Sequence, residues 1–218
     1  MENMRYKAYK KIKNMIVFLD LKPGQKIIES EIAKRIKIGR TPVREALLML
    51  ETEKLVVAGG KKGFAVRALS SGEIKEYFKM RMLLEEFAFP LIIERITSSE
   101  KNAIKKNFVK TEEAIKNGHL RDVIFYETKY HEILYKATKS EIFIETIFPL
   151  VDKFQLLRAI SLNVKNSTAQ SFQEHKQIFE AIERKDEQGF RRLIKEHLTH
   201  AEENVAHMRG LFFNQSIF

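Results

Sequence analysis

Three histidines and one glutamate stand out in this sequence as side chains that could bind a metal ion. His131, His175 and His197 each fall on the apolar stripe of a segment with helical periodicity, and Glu127 lies four residues before His131. Residues four apart share one face of a helix, so Glu127 and His131 are predicted to share a patch. Facing helices of a bundle build metal sites from such groups. Spacing alone predicts that these side chains face inward, and a hydrogen-bonded core histidine is the alternative for each.

A second group of polar residues has the chemistry for nucleic-acid binding. Arg40, Thr41 and Arg44 cluster at the start of a predicted helix, and Lys61 and Lys62 occupy the turn of a predicted hairpin. A guanidinium group can bind guanine bidentately or clamp a phosphate, and lysines act as point charges. A solvated basic surface is the alternative.

Composition narrows the possible classes of protein. Residues 1–70 contain 16 Lys or Arg and 7 Asp or Glu, whereas the remaining residues contain 23 and 22, so the excess positive charge lies in the first third. That distribution favours a polyanion partner for residues 1–70. The absence of cysteine excludes disulfides and thiolate metal sites. No apolar run approaches a membrane span and no signal peptide is evident, so we expect a cytoplasmic protein without a membrane partner.

The elements predicted for residues 1–70 would present the basic residues together. Amphipathic helices are expected at 5–20, at 29–36 and from Thr41, as N-cap, to about residue 54. Two short strands at 55–58 and 63–67 should flank a Gly-rich turn. Three helices followed by a hairpin form the layout of a winged helix-turn-helix.

The rest of the chain has almost continuous helical periodicity. Six or seven helices are predicted over 71–210, with breaks at Asn117-Gly118 and at Pro149. Candidate N-caps are Ser70, Thr97, Thr138, Ser167 and Asp186. The predicted fold is therefore mainly α, with a winged helix-turn-helix domain at 1–70 and an all-helical bundle at 71–218.

The first domain contains a recognisable motif. The octapeptide RTPVREAL at 40–47 resembles the DNA-binding domain of GntR-type transcription regulators. Three further segments resemble the same domain, namely Ile32-Ala33, Leu55-Val56 and Gly63-Phe64-Ala65-Val66. The resemblance implies that Arg40 and Arg44 contact operator bases or nearby phosphates and that Thr41 contacts the DNA backbone. It also implies that Gly63, in the wing, lies near the minor groove.

Two positions depart from that family pattern. Lys37 stands where the family usually has the turn glycine, and Gly39 replaces the Ser or Thr before the arginine. The first departure suggests an altered turn, and the second removes a phosphate-binding hydroxyl.

Residues 71–210 resemble the all-helical effector-binding domain of the FadR-like branch, often called FCD. The resemblance implies that Glu127, His131, His175 and His197 together bind one divalent ion per subunit, although Asp is usual at the position of Glu127. Zn, Ni, Fe and Mn all suit this donor set. Octahedral coordination would leave two positions that a small carboxylate effector could occupy.

Arg81 is a candidate for binding that effector. It lies on the inward stripe of the predicted helix that follows residue 71, and its Arg-x-x-x-Glu context matches the start of the family's effector domain. It would receive an effector carboxylate. An ion pair between Arg81 and Glu85 within one helix is the alternative.

These observations predict a regulator of transcription, namely a homodimeric repressor that binds a pseudo-palindromic operator and responds to a small organic acid. They do not predict whether the effector releases or promotes DNA binding. One alternative is a regulator whose metal is structural and whose helical domain only dimerises. The other is a metal-dependent hydrolase, which we do not expect because no distinct general base is evident.

Overall fold

A computed structural model of the chain describes residues 3–59 and 63–212, with side-chain environments for 3–59 and 63–208. The elements in chain order are α1 (Met4–Val17), β1 (Lys26–Ile27), α2 (Glu29–Ile36), α3 (Arg40–Thr52), β2 (Val56–Ala58), β3 (Phe64–Val66), α4 (Ser71–Arg95), α5 (Ser98–Lys116), α6 (Leu120–Ala137), α7 (Glu141–Ser161), α8 (Ser167–Arg184) and α9 (Glu187–Phe212). The chain divides into two compact units, the first containing Met1–Ser70 and the second Ser71–Met208. The mainly α fold class predicted from the sequence is confirmed.

The first unit is built on α1, which packs along α3. Ile12 and Ile16 of α1 and Leu47 and Leu50 of α3 are completely buried in one core. Burying an apolar side chain of this size contributes about 1.5–3 kcal/mol to folding. This packing fixes the orientation of α3, so that its polar face points to solvent.

A three-stranded antiparallel sheet completes the first unit. The predicted hairpin is confirmed, because β2 pairs with β3 and Val56 lies opposite Val66. The strand β1 was not predicted, and it pairs with the other edge of β3 through Lys26 and Ile27. A two-residue strand is too short to produce an alternating pattern, so no periodicity in the sequence indicates β1.

The turn between α2 and α3 differs in detail from the prediction. α2 ends at Ile36, and its C-cap, Lys37, adopts a left-handed conformation with φ of 55°. Glycine occupies such a position without penalty, whereas a residue with a side chain costs roughly 1 kcal/mol there. The N-cap of α3 is Gly39, so the prediction that Thr41 caps this helix is wrong. Thr41 lies in the first turn instead, and its side chain is exposed.

The second unit contains six helices, α4 to α9. The capping box predicted at Thr97 is confirmed, since Thr97 and Glu100 each accept a hydrogen bond from the other's backbone N–H. The N-cap predicted at Asp186 is also confirmed, because Asp186 Oδ1 accepts a hydrogen bond from Gly189 N near the start of α9. Thr138 and Ser167 are not N-caps, because those positions belong to Ser140 and Asn166.

The predicted break at Pro149 is also wrong. Pro149 lies inside α7, which continues through it to Ser161. Proline in a helix interior removes one hydrogen bond and costs about 3 kcal/mol. The C-terminal half of α7 buries every residue from Phe154 to Ser161, and we attribute the continuation of the helix to that burial. Within the described residues, no helix is both long and apolar enough to cross a membrane.

Candidate metal centre and nucleic-acid interface

The start of α3 presents the predicted DNA-binding residues to solvent. Arg40, Thr41 and Arg44 are exposed, whereas Val43 and Ala46 on the opposite face are completely buried. Arg44 Nη1 forms an ion pair with Glu29 Oε1 of α2 at 3.1 Å, and 65% of the Arg44 side chain remains exposed. An exposed ion pair contributes little to stability, so it leaves Arg44 available to an external phosphate or base.

The predicted wing is described only in part. Gly63 has a φ of +85°, a conformation that favours glycine, and its carbonyl accepts a hydrogen bond from Gly59 N at 2.7 Å. Lys61 and Lys62 lie outside the described residues.

Three imidazoles converge inside the second unit. His131 of α6, His175 of α8 and His197 of α9 are at least 96% buried. The Nε2 atoms of His131 and His175 lie 3.1 Å apart, and those of His175 and His197 lie 3.2 Å apart. These three are the one cluster of metal-binding side chains found within the described part of the chain, with ligand atoms all within 4.8 Å of one another.

Each imidazole also has a carboxylate near its Nδ1 atom. His197 Nδ1 lies 2.7 Å from Glu174 Oε2, His175 Nδ1 lies 3.5 Å from Glu127 Oε1, and His131 Nδ1 lies 3.6 Å from Glu85 Oε1. A carboxylate that accepts a hydrogen bond from Nδ1–H keeps the lone pair of the imidazole on Nε2. The distance of 2.7 Å is a short hydrogen bond, whereas the other two are at or beyond its outer limit.

Glu127 lies beside the three histidines but outside the group of mutually close ligand atoms. Its Oε2 accepts a hydrogen bond from Ser171 Oγ at 2.9 Å. Its Oε1 is buried and has no hydrogen-bond partner among the described residues. An unpaired carboxylate oxygen in the interior costs free energy unless a cation neutralises it. The donor set of three imidazoles with this oxygen therefore fits a divalent transition-metal ion.

Burial and neighbouring charges lower the pKa of two of the three imidazoles, those of His131 and His197. Burial, with the nearby charge of Arg81, holds the pKa of His131 well below its usual value. Burial lowers the pKa of His197 to about 4, and proximity to His175 adds to this effect. Burial alone would raise the pKa of Glu127, but His175 and Arg158 outweigh it and lower that pKa. Neutral imidazoles and an ionised carboxylate are the protonation states that metal binding requires.

Arg81 extends from α4 into the same region. Its Nε donates to Glu85 Oε1 at 2.7 Å, which is the intrahelical ion pair that we considered as the alternative role. Its Nη2 lies 2.9 Å from His131 Nε2, so the guanidinium reaches the histidine cluster. Tyr135 Oη also donates to Glu85 Oε1 at 2.8 Å. The ion pair therefore lies beside the histidine cluster.

Two residues of this region were missed by reasoning from the sequence. Glu174 joins His197 to His200, whose Nδ1 lies 2.7 Å from Glu174 Oε1. It directly precedes His175, and i,i+1 neighbours on a helix point in different directions, so no helical pattern linked Glu174 to the inward stripe. The other is Arg158, a buried arginine on α7. His119, the N-cap of α6, is exposed and lies outside this cluster.

Comparison with protein families finds two matches that together span most of the chain. Residues 5–66 match the family of bacterial regulatory proteins named gntR, and residues 76–200 match the FCD domain.

Individual relatives agree with these matches. The chain is 28% identical to the HTH-type transcriptional regulator YdhC of Bacillus subtilis over 201 residues, which cover 92% of this chain and 90% of the relative. It is 23% identical to the HTH-type transcriptional repressor RspR of Escherichia coli over 92% of this chain and 88% of the relative. Among solved structures, McbR/YncC of E. coli superposes with a TM-score of 0.77 at 21% identity, over 97% of this chain and all of that one.

Proposed function

The chain belongs to the gntR family of bacterial transcription regulators and carries an FCD domain, and from this premise we propose that a small carboxylate effector, bound at a metal ion in the helical domain, controls operator binding. Members of this family are DNA-binding regulators and not enzymes. In this proposal residues 1–70 bind the operator, and residues 71–218 bind the effector and form the dimer. The observation that carries the proposal is the convergence of three buried Nε2 atoms from three helices.

We propose that one divalent ion per subunit, Zn, Ni, Fe or Mn, is held by His131, His175, His197 and Glu127. When bound, the ion supplies a positive charge that attracts an anionic effector. Support for Glu127 comes from its buried, unpaired Oε1. Glu174 fixes the orientation of His197 through the hydrogen bond at Nδ1, and Arg81 offers its guanidinium to the effector carboxylate.

On the DNA side, Arg40 and Arg44 are proposed to contact bases or phosphates, and Thr41 the DNA backbone. Lys61, Lys62 and Gly63 are proposed to act in the wing. The exposure of the first turn of α3 supports these roles, since a recognition helix uses its N-terminal residues to contact base edges.

A homodimer suits a pseudo-palindromic operator, because two copies related by a two-fold axis match its two half-sites. Met80, Leu83 and Phe87 form an exposed apolar stripe on α4, with exposed fractions of 50%, 68% and 59%. A second copy of this chain is the occupant that we propose for this stripe. We further propose that the regulator is a repressor, as the name of the relative RspR states for that protein.

DNA binding by the metal-loaded protein can be measured by fluorescence anisotropy on a palindromic fragment selected from random sequences. Arg40→Ala should weaken binding about 10-fold or more, since a bidentate contact is worth about 1–3 kcal/mol. Arg184→Ala, at an exposed arginine of α8, is the matched control. Equal affinities for both variants and the unaltered protein would contradict the assignment of the recognition helix.

Effector binding can be measured separately from DNA binding. A small carboxylate should raise the melting temperature of the metal-loaded protein and leave that of the chelated protein unchanged. If no carboxylate raises it, the metal is structural and the helical domain serves only dimerisation.

A further inference from the structure

The turn between α2 and α3 carries an exposed lysine directly before the exposed start of α3. Lys37 is exposed, and α3 begins three residues later at Arg40. Ile38 is buried and Gly39 has no side chain, so neither stands between Lys37 and Arg40 on the solvent side of the turn. Three residues of chain span at most about 11 Å, and one DNA strand carries a phosphate for about every 3.4 Å of helix axis. Both cations can therefore contact the same stretch of one strand.

The backbone holds Lys37 in a defined position. Lys37 N donates a hydrogen bond to Lys34 O at 3.3 Å. Ile38 N donates one to Ala33 O at 3.1 Å, and the side chain of Ile38 belongs to the core of the first unit. Binding of an anion would therefore order only the side chain of Lys37 and not its backbone, which keeps the entropic cost of binding low.

Lys37 has no acidic partner within the first unit or elsewhere in residues 3–59 and 63–208, and its side chain forms no hydrogen bond there. Arg44, which is also exposed near this turn, differs from it because Arg44 forms an ion pair with Glu29 at 3.1 Å. An exposed ammonium group is hydrated and needs no partner in the folded protein. Its charge is therefore fully available to a polyanion.

A second ammonium group lies at the same turn. Lys11 of α1 donates from Nζ to Ile36 O at 2.9 Å, and that carbonyl belongs to the peptide bond between Ile36 and Lys37. Lys11 is exposed, and an ammonium group has three donors, so two of its donors remain for other acceptors. The hydrogen bond holds the charge of Lys11 beside Lys37. The turn before α3 thus carries two positive charges.

We propose that Lys37, in the positive field of Lys11, binds an operator phosphate next to the bases that the start of α3 contacts. Phosphate contacts fix the register of a protein on the duplex and carry no sequence information. Lys37 is therefore a positioning residue, which holds Arg40 in place on the DNA. This inference rests on the proposed placement of α3, and it adds a contact that lies outside α3 and the wing.

The conformation of Lys37 allows a test that does not endanger folding. Lys37→Gly removes the ammonium group, and glycine adopts a φ of 55° without penalty, so the melting temperature should not fall. Lys185 is the matched control, because it is an exposed lysine at the end of α8, in the second unit, with a φ of 57°. Lys185→Gly removes the same charge from the same backbone conformation. Lys37→Arg keeps the charge at the turn.

The test measures DNA affinity of the full-length, metal-loaded proteins by fluorescence anisotropy at several salt concentrations. The two DNA fragments are the selected palindromic fragment and one with scrambled half-sites. Each phosphate contact contributes about 0.9 to the slope of log K against log salt concentration. Lys37→Gly should reduce the steepness of that slope by about 0.9 for each half-site, and it should weaken binding to both fragments by the same factor. Lys37→Arg and Lys185→Gly should keep the slope of the unaltered protein.

Three results would overturn the inference and leave the proposed function standing. They are an unchanged slope for Lys37→Gly, an equal decrease for Lys185→Gly, and a loss of affinity confined to the palindromic fragment. The second would indicate an effect of net charge, and the third would place Lys37 at a base instead of a phosphate. If Arg40→Ala leaves the affinity for the palindromic fragment unchanged, the placement of α3 is overturned, and the inference with it.

Discussion

At the scale of single residues, the histidine cluster has an inner and an outer part. The inner part consists of three Nε2 atoms, of which neighbouring ones lie 3.1 and 3.2 Å apart, and the outer part consists of Glu174 near His197 Nδ1 and Glu85 near His131 Nδ1. Glutamates that orient an imidazole and raise its basicity strengthen metal binding. Their loss commonly weakens metal affinity about 10- to 100-fold. Glu174 is the clearest such residue, because its hydrogen bond to His197 is short and charge-assisted.

Replacement of a central imidazole should remove the metal. His175 lies between the other two histidines, so His175→Ala should abolish metal retention, as measured by elemental analysis of protein purified without chelator. DNA binding by the first unit should persist. His119→Ala, at an exposed histidine, is the matched control and should keep the metal. If His175→Ala retained the metal, our assignment of the ligands would be wrong.

Acidification should destabilise the metal-free protein through its buried histidines. Burial lowers the pKa of His197 from 6.5 to about 4, so between these values the unfolded chain binds a proton that the folded chain does not. The free energy of unfolding should therefore decrease as the pH is lowered from 6.5 to 4, by up to about 1.4 kcal/mol per pH unit for one histidine. Urea titrations of chelated protein at several pH values measure this slope.

His197→Asn removes the titrating group, so its slope between pH 6.5 and pH 4 should be shallower than that of the unaltered protein. Parallel slopes would contradict the account. The pKa of Glu174 is lowered from 4.5 to about 2, so loss of its interaction with His197 would appear below pH 4.5, and the slopes are best compared between pH 6.5 and pH 4.5.

The sequence indicated part of this site. The three histidines were predicted to face inward because each lies on a helical stripe with clear polar and apolar faces. Arg158 was missed because the end of α7 is buried on all sides, and a helix without an exposed face has no periodic contrast. The approach of Glu85 to His131 depends on how α4 packs against α6, which the pattern within one helix does not specify.

At the scale of elements, local chemistry determines where several helices begin. The capping box at Thr97 was predictable because both partners lie within four residues of each other. The starts at Ser140 and Asn166 were not, because Thr138 and Ser167 are equally good cap residues by type. Pro149 was misinterpreted because burial of α7 outweighs the local preference, and burial is a property of the tertiary structure.

Loss of the Thr97 cap should measurably destabilise the second unit. Thr97→Ala removes the hydroxyl that accepts a hydrogen bond from Glu100 N, and it should lower the free energy of unfolding by about 1 kcal/mol. Ser99→Ala, at an exposed position two residues later in the same turn, is the matched control and should change it little. Denaturant titrations of both variants provide the comparison, and equal midpoints would contradict the cap's contribution.

At the scale of the whole molecule, the two candidate sites lie in two different compact units. The positive charge is concentrated in residues 1–70, and the buried polar cluster lies entirely in residues 71–208. An effector can alter operator affinity only if it binds two arrangements of the protein with different affinities. A dimer provides such arrangements, because the spacing of two DNA-binding units must match that of two half-sites.

Dimerisation should depend on the exposed apolar stripe of α4. Leu83→Glu places a charge at its most exposed residue, and it should raise the dissociation constant of the dimer at least about 10-fold, because an unpaired charge in an apolar interface is costly. Val109→Glu, at an exposed apolar residue of α5, is the matched control. Sedimentation velocity measures both. An unaltered dimer for Leu83→Glu, or a monomeric parent protein, would contradict this interface.

The most direct test of the account measures operator affinity with and without succinate, for the metal-loaded protein and for His175→Ala. We predict that succinate changes the affinity of the metal-loaded protein about 5-fold or more, the usual range of coupling between sites, and leaves that of His175→Ala unchanged. An equal response of both proteins, or no response of either protein to malonate, succinate or glutarate, would contradict the claim that the histidine cluster couples an effector to DNA binding.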